Sequence, residues 1–144
     1  MTRRYGSGTT WEAAVGYSRA VRAGPLVFVA GTTATVDGRV VGPGDAYAQT
    51  VQALNNVEAA LGVAGATLAD VVQTRLFVTD IARWEDVGRA HAEYFSGDPP
   101  VSTMVEVCRL IDPDMVVEIE AVAYVDRQPA AASTERAARA TAAP

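Results

Sequence analysis

Residues 101–125, VSTMVEVCRLIDPDMVVEIEAVAYV, carry the pattern on which the architecture turns. In its second half Val117, Ile119, Ala121, Ala123 and Val125 fall on one strand face, while Val116, Glu118, Glu120, Val122 and Tyr124 fall on the other. One face is dry and the other carries two carboxylates. Between Val107 and Met115, the run Arg109-Leu110-Ile111-Asp112-Pro113-Asp114 supplies turn formers, and Pro113 cannot donate a ladder hydrogen bond. The expectation is a hairpin whose two strands fold back on each other. Glutamate is depleted in strands, and burying its charge is costly unless it is paired. Glu118 and Glu120 therefore face water or partner groups, or one of them has a chemical task; the strand pattern leaves both readings open.

Upstream, two short strands are expected at Ser18–Arg22 and Leu26–Thr32, joined by Ala23-Gly24-Pro25. Leu26–Ala30 is apolar throughout, so both of its faces should be covered. A tight turn is expected around Asp37-Gly38. Asp45 is an N-cap for a helix with Tyr47, Val51, Leu54, Val57 and Leu61 at helical spacing, ending near Gly62 and Gly65. Val71–Thr79 reads as another strand. Asp80 caps a second helix that lines up Trp84, Val87, His91 and Tyr94. Met1–Thr10 is polar and expected to be loose, and residues 127–144 lack large apolar side chains and read as a disordered tail. Residues 1–126 are then one α+β domain, a mixed β-sheet with two helices on one face. The other face is left to copies of the chain, so a homo-oligomer with clefts between subunits is expected.

Composition narrows the function. The 144 residues carry a formal charge of −5, which argues against nucleic acid as a partner. No apolar run approaches a membrane span and no secretory leader is evident, so a cytoplasmic protein without membrane contact is expected. One cysteine and one histidine argue against a transition-metal site. There is no lysine, which excludes Schiff-base catalysis by a side-chain amine and makes arginine the source of every fixed side-chain cation. Arg19 and Arg22 are oddly spaced and fall on opposite faces of a regular strand, so one of them is placed to reach a cleft. His91, on an apolar stripe, reads as a hydrogen-bonded core histidine. Cys108 reads as a small buried residue within a strand, and Trp11 and Trp84 as packing.

Several runs resemble the Rid family, also called YjgF/RidA, the reactive intermediate deaminases. They are Gly16-Tyr17, Val27-Phe28-Val29-Ala30-Gly31, Leu54-Asn55-Asn56-Val57, Phe77-Val78-Thr79-Asp80, Val105-Glu106-Val107 and Val117–Ala123. The resemblance implies a chorismate-mutase-like fold, a homotrimer with clefts at the subunit interfaces, and cofactor-independent hydrolysis of enamine and imine acids. It places the family glutamate on Glu118 and the cleft tyrosine on Tyr17, with ligand-facing positions at Ala30, Gly31 and Met104. The chain departs from the family at Pro100-Val101-Ser102-Thr103, where Ser102 replaces the arginine that holds a substrate carboxylate, and at Gly88, which replaces an asparagine. A hydroxyl cannot replace a bidentate guanidinium contact, which argues against 2-imino-acid deamination. Ser102 and Thr103 suit a neutral polar ligand, and Arg19 is a candidate replacement cation. The function expected is C=N hydrolysis or related acid–base chemistry on a small metabolite, the alternative being a non-catalytic trimer that binds a small molecule or a partner.

Overall fold

In the computed structural model, which describes residues 1–127, the alternating strand lies inside the sheet rather than at its edge. In chain order the elements are β1 (Thr2–Tyr5), α1 (Thr10–Val15), β2 (Ala20–Ala23), β3 (Leu26–Thr32), β4 (Thr35–Val36), β5 (Arg39–Val40), α2 (Ala46–Val63), β6 (Val71–Val78), α3 (Trp84–Tyr94), β7 (Val101–Glu106) and β8 (Val117–Tyr124). Six strands form one sheet in the order β1-β2-β3-β8-β6-β7, and β4 and β5 form a separate small hairpin.

The alternation in β8 works as its sequence requires. Val117, Ile119, Ala121 and Ala123 are buried beneath α2, whereas Glu118, Glu120 and Val122 on the opposite face are only partly covered. The expected hairpin does not form. β6 lies between the two strands, pairing antiparallel with β8 and parallel with β7. The parallel pair is joined by α3, the usual solution because a parallel neighbour cannot be reached by a tight turn. Residues 107–116 are a crossing loop, and Gln49 of α2 holds its end by donating to the Asp114 carbonyl at 2.6 Å and accepting from the Val116 amide at 2.9 Å.

Asp45 caps α2 by accepting from the Ala48 amide at 2.9 Å. Leu54, Val57 and Leu61 are buried as their spacing requires, and Ala46, Thr50, Ala53 and Ala60 complete the buried stripe. Small alanines let the helix approach the sheet closely, which leaves Tyr47 and Val51 half-buried. In α3, Val87 is buried but Trp84 is 55% exposed, because a 3-10 turn at Ile81–Arg83 precedes it. Trp11 is also exposed, on a third helix, α1, that buries no residue. Neither tryptophan packs in the core of the single chain. The amino terminus is not loose: Thr2–Tyr5 adds an edge strand antiparallel to β2. Cys108 is exposed because β7 ends at Glu106. The expected tail lies outside the described residues except for Arg127, which is exposed and paired with Asp70.

Leu26–Ala30 has one covered face. Val27 and Val29 are buried while Phe28 is 43% exposed, in line with exposed Val105 and Tyr124 on the same uncovered side of the sheet.

Candidate functional site

The uncovered face carries a group of polar side chains built around an irregularity in β3. Val29 pairs with Ala121, but Thr32 pairs with Ile119, so three steps along β3 match two along β8. The extra residue makes a bulge at Ala30-Gly31, a device that re-aims side chains where a regular ladder would not. Asn56 of α2 holds the following turn by donating to the carbonyls of Thr33 and Thr35 at 2.9 and 3.0 Å.

Arg19 fills the space beside the bulge. It donates to the Gly31 carbonyl and to Thr32 Oγ1, both at 2.8 Å, and to the Tyr17 hydroxyl oxygen at 3.0 Å. Its Nε stands 3.8 Å from Glu12, and only 14% of its side chain is exposed. Guanidinium is a donor only, so the Tyr17 oxygen accepts and its own O–H proton is left for another acceptor. Arg22 leaves the opposite face to bind the Ala64 carbonyl at 2.9 Å. Of the two candidate arginines, Arg19 is the one at the site. Most of its donors are occupied, which makes it a frame for Tyr17 and Gly31 before it is a clamp for a ligand.

Glu118 reaches across from β8. A Cβ on Gly31 would lie 2.5 Å from its Oε1 and 2.9 Å from its Cδ, so the carboxyl occupies the space that any other residue at Gly31 would fill. Glu118 is half-buried and, among the described residues, has neither a hydrogen-bond nor an ion-pair partner within contact distance. Burial raises its pKa above the ordinary carboxylate value and the Glu120 charge raises it further, with Arg19 opposing both. Glu120 has a different fate: it forms an ion pair at 2.6 Å with Arg75 of the adjacent β6. The ionised-partner reading therefore suits Glu120, while Glu118 has the features of an acid–base group. Glu12 is also part of the frame. Burial would raise its pKa, but bonds from Ser7 and Gly8 and the charge of Arg19 more than offset this and hold it low.

Tyr17, Arg19, Ala30, Gly31 and Glu118 are thus brought together. Ser102, Thr103 and Met104 are not part of this group in the single chain, because β7 is separated from β8 by β6, and neither is Gly88, which lies on α3. Ser102 pairs with buried Thr74 and shares its side of the sheet, whereas Thr103 pairs with Arg75 on the uncovered side; Met104 is half-buried. A Cβ on Gly88 would meet no atom within 4 Å. The Ser102 hydroxyl bonds Thr74 Oγ1 at 2.9 Å, and Thr74 Oγ1 lies 2.8 Å from His91 Nε2. His91 is hydrogen-bonded as expected but only half-buried rather than in the core, and burial lowers its pKa. Sequence reading missed Thr32 and Glu12 as framing residues; a glycine late in an apolar strand was the available signal for the bulge. Among the described residues no cluster of side chains suited to a metal ion is present, and no helix is long and apolar enough to cross a membrane.

Comparison with known proteins places this geometry. A family profile described as Endoribonuclease L-PSP matches residues 8–125. An uncharacterized protein of Streptomyces coelicolor is 39% identical over 122 residues, covering 85% of this chain and 91% of its own. A RutC family protein of Pyrococcus horikoshii is 39% identical over 111 residues, covering 75% of this chain and 86% of its own. The crystal structure of a Mycobacterium tuberculosis member of the YjgF/YER057c/UK114 family superposes with a TM-score of 0.79 at 57% identity, over 87% of this chain and 100% of that one. The YjgF gene product of E. coli gives 0.69 at 32% identity, over 75% and 87%. With a fold, a family profile and relatives that agree over most of its length, the chain belongs to the Endoribonuclease L-PSP family, the YjgF/RidA family.

Proposed function

We propose that the chain assembles as a homotrimer in the cytoplasm and hydrolyses C=N bonds of small imines or enamines in clefts between subunits, without a cofactor. The observation that carries this reading is Glu118, a half-buried carboxyl without a partner among the described residues, raised in pKa and seated against Gly31. Its raised pKa lets it be protonated at the start of a reaction and basic after it. Protonated Glu118 gives its proton to the imine nitrogen. The resulting carboxylate then takes a proton from the water that attacks the carbon, forming a carbinolamine. Return of that proton to nitrogen expels ammonia while the carbinol O–H passes its own proton to the Glu118 carboxylate, leaving a carbonyl compound and a reprotonated Glu118, so one water is consumed for each ammonia released. The Tyr17 O–H, with its oxygen held by Arg19, donates to the ligand.

The trimer follows from two features. The sheet face around Phe28, Val105 and Tyr124 is uncovered in one chain. Thr103, on the same uncovered side as Glu118 but two strands away, is placed to approach the Glu118 cleft of a second copy. With Ser102 in place of a cation, substrates lacking a 2-carboxylate are favoured.

The test is hydrolysis of a panel of imines, with and without a 2-carboxylate, by wild type and Glu118→Ala, alongside sedimentation of both. The expected result is turnover of the uncharged imines, with a loss of about 100-fold or more in the variant and unchanged trimers. Buffer-level rates for every imine would overturn the enzyme in favour of a binding protein. Ribonuclease activity, which the family description names, finds little support in a chain of net charge −5 with Glu118 and Glu120 on the site face.

A further inference from the structure

Helix α1 takes no part in the chemistry assigned to Glu118, and little in its own six residues holds it in place. None of them contributes to the hydrophobic core, and the side chain of its N-cap residue, Thr9, makes no capping bond. Helices shorter than about 12–15 residues are marginal in water by themselves, so α1 is held from outside. Among the described residues, the side-chain hydrogen bonds and ion pairs that tie it to other segments all converge on Glu12. Its carboxylate accepts from the Ser7 amide at 3.0 Å and from the Ser7 hydroxyl, and it faces Arg19 Nε at 3.8 Å. A Cβ on Gly6 would lie 2.9 Å from its Oε2, so the chain ahead of the helix closes over the same carboxylate.

Glu12 also reaches Tyr17 at both of its ends. Its backbone carbonyl accepts from the Gly16 and Tyr17 amides at 2.9 and 3.1 Å, and Gly16, at φ 82°, turns the chain out of the helix in a left-handed conformation that glycine adopts without strain. Its carboxylate faces Arg19, whose Nη2 donates to the Tyr17 hydroxyl oxygen at 3.0 Å. We propose that Glu12 is a positioning residue for Tyr17: it pins α1 beside the site and, through Arg19, fixes the direction in which the Tyr17 O–H meets the ligand. Nη1 of Arg19 is already anchored on the Gly31 carbonyl and Thr32 Oγ1. A planar guanidinium anchored at one nitrogen is free to tilt about it, and the Glu12 charge on the Nε side removes that freedom. One side chain thus sets the approach of the backbone at Tyr17 and the aim of its hydroxyl. The inference deepens the proposed function, since it rests on Tyr17 donating to the ligand.

The experiment is a double-mutant cycle on the full chain, with 2-iminopropanamide generated in situ as the uncharged imine. Glu12→Ala and Tyr17→Phe should each lower kcat/KM about tenfold, the effect of one aligned hydrogen bond. The double variant should fall no further than Tyr17→Phe, because Glu12 acts through the hydroxyl that this substitution removes. A merely structural role would lower the rate equally in both backgrounds. Additive losses, or a Glu12→Ala rate equal to wild type, overturn the positioning role. A second readout does not depend on turnover. The two tryptophans are Trp11, on α1, and exposed Trp84, so Trp84→Phe leaves Trp11 as the sole reporter of the helix. Its residual fluorescence anisotropy should drop when Glu12→Ala is added, and an unchanged anisotropy overturns the pin. Buffer-level imine rates in wild type overturn the proposed function instead, and the anisotropy then decides for or against the pin by itself.

Discussion

Two polar groups flank the central strands and are built on opposite principles. Around the β3 bulge, Arg19 distributes a permanent charge over Tyr17, Gly31 and Thr32, and Glu118 rests against the glycine it excludes from substitution. At the β6–β7 edge, Thr74 donates to Ser102 at 2.9 Å and lies 2.8 Å from His91 Nε2, an uncharged series on the covered side of the sheet. The first is held by charge-assisted bonds that are strong and multiply connected, and the second by single neutral bonds, each worth less.

The largest test of that contrast is Arg19→Ala. It strands the Gly31 carbonyl and takes a donor from the Thr32 hydroxyl, which keeps its own bond to the Ala30 carbonyl, and should cost about 2–3 kcal/mol in urea unfolding at fixed protomer concentration. Arg19→Lys keeps the charge but cannot bridge acceptors in a fork, and should recover less than half. Equal stability of Arg19→Ala and wild type would remove the idea of a charged frame. Thr74→Val, at the β6–β7 edge, should cost about 1–2 kcal/mol, because one buried bridge is lost while shape is kept. Glu118→Gln should stabilise instead, by less than about 1 kcal/mol given its partial exposure. The sign follows from linkage: a raised carboxyl pKa means the folded protein holds the proton more tightly, so wild type loses stability as pH rises from the unfolded value through the folded one. The gain in Glu118→Gln should thus be present at neutral pH and vanish near pH 4. His91 has the opposite slope: its lowered pKa contributes stability above about pH 6.5, lost as pH falls through the folded value. That acid loss should disappear in His91→Gln. Ser102→Ala should change stability by no more than about 0.5 kcal/mol, being exposed.

Much of the sheet's layering was legible because side-chain period is a local property. The alternation of Val117–Val125 identified the buried face of β8 and brought Glu118 forward, and Asp45 marked the start of α2. Strand order is not local. Pro113 and its neighbours suggested a turn, yet nothing in residues 101–125 could show that β6 would enter between the two strands. The same limit applies to the site. Tyr17 and Gly31 came through resemblance, and Arg19 through the absence of lysine. Thr32 and Glu12 went unseen because their roles depend on a bulge that shifts register by one residue. Cys108 was misplaced because the end of β7 is set by its partner strand, not by its own composition.

The two edges of the sheet differ in a way that bears on handling. β1 ends the sheet with Arg3 and Arg4, charges that repel another strand, whereas β7 ends it with Val101, Ser102, Thr103 and Val105, and Val101 is 70% exposed. A lone protomer shows that edge as a template for non-native pairing with other chains. Dilute samples should therefore lose protein to precipitate, and a charge introduced at Val101 should extend their storage life.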